Sequence, residues 1–262
     1  MRALVEVAPG VHVATATTYT TTSTVLVAGD GACLVVDPAL TAGEVGALAA
    51  ALAHRGWHPV AGFVTHAHWD HLLWHRDLGS VPRWATADAA RYAREHLPRL
   101  RVEAAADVPG TAPTTDRLAA LASGATAVPW SGPPVEVVEH PSHAAGHAAL
   151  VAGPVLIAGD MLSDVEVPLL DLDVADPVAA HHEGLDRLAS VLVRPSTTML
   201  VPGHGHVTDR AGALERLAAD RRYVDAVAAG RDLDTAEEPR LADHWVRDEH
   251  ERQRGFLRHG RA

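Results

Sequence analysis

Short runs of apolar and β-branched residues, separated by turn residues, open the chain. Val and Thr dominate these runs, which is typical of β-strands. The spacing of Thr41 and Glu44 is that of a capping box and predicts a helix that ends near Arg55. The short apolar run that follows this helix predicts a buried strand. The predicted strands of this first part span residues 11–17, 20–28, 32–37 and 60–65.

The rest of the chain alternates between helix and strand patterns. A helical pattern over 86–96 precedes a long segment, 107–134, whose Pro, Gly, Thr and Ala content predicts a surface connection with at most one helix. A second helix is predicted over 177–192, and the charged chain beyond Asp209 is predicted to be mostly helical. Further strands are predicted at 135–140, 148–151, 155–158 and 198–202. This order predicts a layered α/β protein in which sheet packs against outer helices.

Composition narrows the class of protein. With 262 residues, of which 47% are hydrophobic and 21% charged, the chain is typical of a soluble globular protein. The net charge of −11 disfavours nucleic acid and anionic membranes as partners and favours a small-molecule substrate. All 22 basic residues are Arg, and the single cysteine, Cys33, excludes an internal disulfide. Because no apolar run has the length of a signal peptide or a membrane helix, we expect a cytoplasmic protein.

Four residues with metal-binding side chains lie within six positions at the end of the strand predicted over 60–65. They are His66, His68, Asp70 and His71. Neutral imidazoles and carboxylates are preferred ligands of zinc and similar divalent ions. In an extended segment the first three point one way and His71 points elsewhere, so one short loop could serve two neighbouring metals. A solvated His-rich loop is the alternative, but the spacing of all four residues favours a metal site.

The segment from His66 to His71 resembles the signature of the metallo-β-lactamase superfamily. Four other segments match motifs of that family in the family's order, and the resemblance spans roughly residues 10–210. These segments are Val35-Val36-Asp37-Pro38, His140-Pro141-Ser142-His143-Ala144-Ala145-Gly146-His147, Ala158-Gly159-Asp160 and Pro202-Gly203-His204-Gly205. Ser142 and Ala39 stand where the family usually has Gly.

This resemblance implies an α/β fold, the four-layer αββα metallo-β-lactamase sandwich, over residues 1–210. Residues 211–262 would form a C-terminal helical extension packed on the same domain. The resemblance also implies two metal sites joined by one carboxylate. The implied ligands are His66, His68 and His143 for the first site, Asp70, His71 and His204 for the second, and Asp160 for both. Asp70 would in addition orient the attacking water, which makes it the implied catalytic residue.

Other side chains near these motifs have expected supporting roles. Asp37 and Thr65 are candidates to orient the imidazoles through their other ring nitrogens, although a plain turn also explains Asp37. Trp69 is a candidate contact of the substrate, with core packing as the alternative. His147 is expected to be structural, with orientation of a metal ligand as the alternative. The other residues considered are expected to pack in the core (Trp74, Trp130, Trp245) or to lie on solvated helix faces (His181, His182, His244, His250).

The implied activity is that of a hydrolase with two divalent metal ions, zinc first, with iron or manganese as alternatives. Its substrate would be a small ester, thioester or lactone, because Asp160 resembles the bridging residue of the glyoxalase II-like and lactonase branches. A β-lactam substrate is disfavoured, since β-lactamases often have Cys at that position and many use Lys, which this chain lacks.

Several alternatives stay open. A mononuclear iron oxygenase of the persulfide-dioxygenase type would use the same ligands, and a non-catalytic binding module would keep them without using them. A phosphodiester hydrolase is disfavoured by the net charge. The oligomeric state is also open, and the charged segment 231–261 is a lid, an oligomer contact or a solvated tail.

Overall fold

Two β-sheets lie face to face in the computed structural model, which describes residues 3–259. The strands of the first sheet are β1 (Val5–Ala8), β2 (Val11–Thr15), β3 (Thr22–Val27), β4 (Ala32–Val36), β5 (His58–Phe63), β6 (Arg83–Ala85) and β7 (Leu118–Ala120). These seven strands follow one another across the sheet in sequence order. Neighbours are antiparallel from β1 to β4 and parallel from β4 to β7.

The second sheet is shorter. Its strands are β8 (Val135–Glu139), β9 (Ala148–Ala152), β10 (Val155–Ile157), β11 (Met199–Val201) and β12 (Thr208–Asp209), in the order β12-β11-β10-β9-β8. Only β10 and β11 are parallel among these described strands, and the other neighbours are antiparallel. Because β4 and β5 are parallel, and β10 and β11 are too, the loops that follow each pair emerge at one edge of their sheet.

Helices cover the outer faces of both sheets. They are α1 (Ala42–His54), α2 (Ala87–Asp107), α3 (Pro177–Leu192), α4 (Arg210–Ala228) and α5 (His244–His259), with short 3-10 helices at Arg76–Leu78 and Pro239–Ala242. The predicted capping box starts α1, since the Thr41 hydroxyl accepts from the Glu44 N–H at 3.2 Å and the Glu44 carboxylate accepts from the Thr41 N–H at 3.2 Å. This reciprocal pair satisfies two amides that the first helical turn leaves without a partner.

Alternation of side chains along the strands produces the layers. In β4, Leu34 and Val36 pack between the sheets, whereas Cys33 and Val35 pack outward against α1. In β10 the alternation is the same, because Leu156 packs outward against α3 and α4 while its neighbours pack between the sheets. The order of layers is therefore helix, sheet, sheet, helix, and the predicted four-layer αββα sandwich is confirmed.

The chain differs from the sequence predictions between residues 97 and 134. The helix expected over 86–96 continues to Asp107 through Pro98, because Leu100 and Ala104 extend its buried stripe. The segment 107–134, expected to be a surface connection, contributes β7 to the edge of the first sheet. This strand has only three residues, too few to give a strand pattern in the sequence. It forms because β6 provides partners for its backbone hydrogen bonds.

The chain after residue 210 packs against the rest of the molecule. Tyr223 and Val224 of α4 and Val246 of α5 share an apolar cluster with Val167 and Leu170, which lie in the segment after β10. The division at residue 210 stays a prediction, and residues 260–262 lie outside the described residues. Between residues 3 and 259, no helix has both the length and the apolar character needed to cross a membrane.

Candidate metal centre

The predicted metal ligands lie in four segments that follow strands of the two sheets. His66, His68, Asp70 and His71 follow β5, His143 lies between β8 and β9, Asp160 follows β10, and His204 follows β11. Backbone hydrogen bonds join these segments across the sheets, from Ala148 N–H to Thr65 O at 2.9 Å and from Thr22 N–H to Gly203 O at 2.7 Å. Strand ends from both sheets thus meet at one edge of the sandwich.

One group of side chains is formed by His66, His68, His143 and Asp160, whose candidate ligand atoms lie within 4.8 Å of one another. His68 Nδ1 lies 3.0 Å from His66 Nε2 and 3.1 Å from His143 Nε2. The Asp160 carboxylate lies against the same atoms, with Oδ2 at 3.3 Å from His66 Nε2 and 3.4 Å from His143 Nε2. The group contains all the ligands expected for the first metal.

A second group consists of Asp70, His71 and His204. Asp70 Oδ2 lies 3.1 Å from His204 Nε2 and 3.4 Å from His71 Nε2. Asp160 also borders this group, because its Oδ1 is 3.1 Å from His71 Nε2 and its Oδ2 is 3.4 Å from His204 Nε2. Asp160 therefore lies between the two groups, where a bridging carboxylate is expected.

The donor atoms of both groups have the spacing of metal ligands. Ligand atoms at about 2.0–2.1 Å from a tetrahedral zinc ion are about 3.3 Å apart. The atom pairs described above are 3.0 to 3.4 Å apart, and all candidate ligand atoms of a group lie within 4.8 Å of one another. His71 Nε2 and Asp160 Oδ1 are buried and have no hydrogen-bond partner within residues 3–259. Since a buried polar atom without a partner costs free energy, these two atoms fit a site that a cation completes.

Asp37 and Thr65 contact the imidazoles of His66 and His71 through Nδ1, the ring nitrogen that faces away from the two groups. The Asp37 Oδ2 accepts from His71 Nδ1 at 2.9 Å and from the Thr65 hydroxyl at 2.6 Å. Thr65 Oγ1 also lies 3.1 Å from His66 Nδ1. With their Nδ1 atoms engaged in this way, His66 and His71 present their Nε2 atoms to the two groups.

His147 and Gly203 fix the position of the Asp160 carboxylate. His147 Nε2 accepts from the Asp160 N–H at 3.2 Å, and its Nδ1 lies 3.0 Å from His140 Nε2. A side chain on Gly203 would place a Cβ 2.0 Å from Asp160 Oδ1, so only glycine leaves room for this carboxylate. His147, expected to be structural, has direct contact with the residue between the two groups.

The backbone is strained at two of these positions. Asp37 and His143 both have positive φ, at 46° and 69°. A non-glycine residue in this left-handed region costs about 1–3 kcal/mol and persists only where the surroundings impose it. The side chains of both residues make contacts at the candidate site, Asp37 with His71 Nδ1 and His143 with His68 Nδ1.

Burial and charge keep two imidazoles and one carboxylate of the site in forms that bind metal, whereas the carboxylates around His71 and His204 raise the pKa of those two imidazoles. Burial lowers the pKa of His66 well below its ordinary value and that of His68 to about 3, so both imidazoles are neutral. Burial alone would raise the pKa of Asp70, but the neighbouring His71 and His204 hold it well below its usual range. Neutral imidazoles and ionised carboxylates are the forms that coordinate divalent ions.

A model of the metallo-beta-lactamase superfamily matches residues 17–204 of this chain. The chain belongs to that superfamily. Among curated relatives, the hydroxyacylglutathione hydrolase of Salmonella typhi is 29% identical over 145 residues, which cover 53% of this chain and 45% of the relative. The chain thus spans about half the length of the curated relatives it matches.

Solved structures are similar to this metallo-beta-lactamase superfamily member over most of its length. A beta-lactamase domain protein from Burkholderia ambifaria has a TM-score of 0.66 at 23% identity, and the match covers 87% of this chain and 76% of that protein. The protein TTHA1623, solved in a di-iron-bound form, has a TM-score of 0.60 at 22% identity, with 78% and 97% covered. At these identities the likeness shows the fold.

A pocket of about 200 Å³ opens above the two groups. His68, Asp70, Asp160 and His204 lie at its floor. Trp69 is 9% exposed and packs in the core, and it also lines this pocket. Its contact with a substrate stays a prediction. The remaining lining residues were not expected from the sequence, and they are Tyr19, Asp107, Glu166, Leu169, Trp245 and Glu249.

Three expectations for isolated residues were wrong. Trp245 was expected to pack in the core, but it is 43% exposed and lines the pocket. His181 and His250 were expected on solvated helix faces, but both are buried. His250 Nδ1 lies 3.0 Å from the Tyr223 hydroxyl, and the periodicity of α4 and α5 gave no sign of this contact. In contrast, His244 is exposed and His182 is partly exposed.

Glu166 is a buried carboxyl group that the motifs do not include. Burial raises its pKa to about 7, and its Oε1 lies 3.6 Å from His204 Nδ1. The backbone around it is held by Arg240, whose guanidinium donates to the carbonyls of Ser163 at 3.1 Å and Glu166 at 2.9 Å. A sequence signal for Glu166 is absent because it lies in a segment with no strand or helix pattern.

Gln253 of α5 braces the same segment. Its Nε2 donates to Pro168 O at 3.1 Å, and its Oε1 accepts from the Leu170 N–H at 2.7 Å. The carbonyl between these two contacts, Leu169 O, lies 3.2 Å from His143 Nδ1 and can accept a hydrogen bond from it. The C-terminal helix is therefore connected to a candidate metal ligand through one turn of backbone.

Proposed function

We propose that this chain is a hydrolase that holds two divalent metal ions, zinc in the first instance, and cleaves a small ester, thioester or lactone. The observation that carries the proposal is the pair of His/Asp groups on either side of Asp160 at the floor of an open pocket. Each group offers enough His and carboxylate ligands for one divalent ion, and this supports two ions. A single-iron oxygenase with the same ligands is the alternative that the metal analysis below tests.

The chain itself contributes position and charge to such a reaction. Divalent ions bound there would supply a hydroxide nucleophile at neutral pH by lowering the pKa of water. Asp70 stays ionised and lines the pocket, so its carboxylate can orient a water molecule and accept its proton. Trp69 and Leu169 offer apolar surface to the part of the substrate that does not react.

The size and composition of the site favour a small carbonyl substrate. The pocket of about 200 Å³ admits a small molecule. Asp160 rather than a cysteine lies between the groups, and Cys33 is buried on the outer face of the first sheet against α1, which disfavours a β-lactam. The name of the curated relatives, hydroxyacylglutathione hydrolase, supports the same class of reaction. A cytoplasmic location remains a prediction.

The test is metal content followed by turnover. Protein purified from cells grown with zinc, iron or manganese is analysed for metal per chain, and the loaded protein is assayed with thioesters, lactones, aryl esters and phosphodiesters. We expect about two equivalents of a divalent metal and hydrolysis of at least one of the first three classes without oxygen. One equivalent of iron with oxygen uptake would contradict the proposal.

Matched variants separate the site from general effects on folding. His68→Ala removes a group that faces both other imidazoles of the first site, and we expect it to lose metal and activity with an unchanged circular dichroism spectrum. His182→Ala is the control, because His182 is partly exposed on α3 and pairs with Asp225 at 3.0 Å, outside the pocket. Equal activity in both variants would also contradict the proposal.

A further inference from the structure

We infer that the outer part of the pocket, formed by Tyr19, Asp107, Glu166, Trp245 and Glu249, selects substrates that carry a positively charged group such as an alkylammonium. This inference rests on the proposed function and specifies its substrate. Three observations support the inference. They are the charge of the pocket lining, the pairing of nearby guanidinium groups, and the arrangement of two aromatic rings.

The lining of the pocket is acidic. Five carboxylates line it, and no Arg is among its described lining residues. Asp70 and Asp160 belong to the candidate metal groups, and burial raises the pKa of Glu166 to about 7, so Asp107 and Glu249 are the charged carboxylates that remain to face a substrate. An anionic substrate would meet like charge at these two positions, whereas a cation would meet opposite charge.

Nearby guanidinium groups are already engaged. Arg240 contacts the backbone of Glu166, but it is buried and paired with Asp220 and Glu238. Arg252 donates from Nε to Glu249 Oε2 at 2.8 Å, and its side chain is 53% exposed. Arg252 thus partly neutralises Glu249 without lining the pocket. Substitution of Arg252 would therefore increase the negative potential at Glu249.

Two aromatic rings flank the outer pocket. Tyr19 and Trp245 are 38% and 43% exposed, and their ring centroids lie 6.5 Å apart with an interplanar angle of 35°. Burial and the carboxylates of Asp107 and Asp70 raise the pKa of Tyr19, so its phenol is uncharged at neutral pH. Exposed aromatic faces beside carboxylates are the combination that binds quaternary and primary ammonium groups.

The experiment compares three thioacetates whose distal groups are cationic, uncharged and anionic. They are acetylthiocholine, its uncharged isostere 3,3-dimethylbutyl thioacetate, and the anionic 3-(acetylthio)propionate, each assayed for kcat/KM with the metal-loaded full chain. We expect the cation to be preferred over the anion by about tenfold or more, mainly through a lower KM. Equal values, or a preference for the anion, would overturn the inference.

Variants connect this preference to the outer pocket. Asp107→Asn and Glu249→Gln should each reduce the ratio of kcat/KM for the cation to that for the neutral isostere, and Arg252→Gln should increase it. Asp248→Asn is the control, since Asp248 lies on α5 next to Glu249 but is 67% exposed and pairs with His244 at 3.2 Å. A ratio that changes equally in all four variants would also overturn the inference.

A binding measurement separates this inference from the proposed function. Tetramethylammonium and acetate are titrated into the metal-loaded protein, with tryptophan fluorescence as the readout and Trp245→Phe to assign the signal. We expect tetramethylammonium to quench the fluorescence and Glu249→Gln to weaken its binding. If the cation binds but no thioester, lactone or aryl ester is hydrolysed, the proposed function fails and the inference stands. If neither ion binds, or only acetate does, the inference fails even where thioesters are hydrolysed.

Discussion

Replacement of Gln253 by Leu tests whether the C-terminal helix positions a metal ligand. The side chain is fully buried and contacts two backbone groups, Pro168 O and the Leu170 N–H, on either side of the carbonyl that faces His143. Leucine has a similar volume but neither donates nor accepts a hydrogen bond. The variant therefore leaves the packing nearly unchanged and removes both contacts.

The expected loss follows from these two contacts. A buried backbone group without its partner costs about 1–3 kcal/mol, so two such groups cost about 2–6 kcal/mol of the free energy of unfolding. Because Leu169 O would no longer be held in place, His143 would lose the fixed orientation of its ring. Loss of a group that orients a metal-binding imidazole lowers metal affinity about 10–100-fold.

Two measurements separate stability from positioning. Urea unfolding of the metal-free protein gives the change in stability, and competition with a chelator gives metal affinity, with the visible spectrum of the cobalt-loaded protein as a probe of ligand geometry. His244→Ala, at an exposed position of the same helix, should change neither stability nor metal affinity. A less stable Gln253→Leu protein with unchanged affinity and spectrum would refute the positioning role.

Three further predictions concern groups around the site. Asp37→Asn replaces the carboxylate that accepts from His71 Nδ1, and a chelator competition should show about 10–100-fold weaker metal binding. Gly203→Ala places a methyl group 2.0 Å from the Asp160 carboxylate and should yield protein with little metal by elemental analysis, whereas Gly29→Ala, which meets no atom within 4 Å, should load normally. Burial lowers the pKa of His181 to about 3, so the unfolded chain takes up a proton near pH 6.5 while the native state does not, and stability falls as pH decreases between these values. His181→Leu should therefore be stabilised relative to wild type by about 2 kcal/mol more at pH 5 than at pH 8 in urea unfolding, and an equal difference at both pH values would contradict this.

Local signals in the sequence predicted much of the fold and the floor of the site. The capping box at Thr41 and the strand before His66 depend on neighbouring residues, and the structure has both. The spacing of the histidines between 66 and 71 is also local, and the structure brings these side chains together with His143 and His204. The sandwich itself, and the grouping of distant ligands, came from resemblance rather than from any period in the chain.

Features that depend on tertiary contact could not be predicted from sequence. Strand β7 has three residues and exists because β6 offers it a partner. His250 was expected to be solvated because it is polar, yet the Tyr223 hydroxyl provides a partner inside the core. Glu166 lies in a segment without regular structure, and burial raises its pKa although the nearby His204 opposes this shift. In each case the deciding neighbour is distant in sequence.

One face of α5 carries polar side chains, and for this reason the sequence of the C-terminal segment did not predict its contacts with the site. Trp245, Glu249 and Gln253 are spaced by four residues, so they lie along one face of this helix. The first two line the outer pocket, and the third braces the segment that faces His143. An apolar stripe is the sequence signal of a packed helix, and a face that carries a carboxylate and an amide does not produce one. The same polar groups are what a helix needs if it is to contact both a substrate and buried backbone, so α5 is better described as part of the site than as a solvated tail.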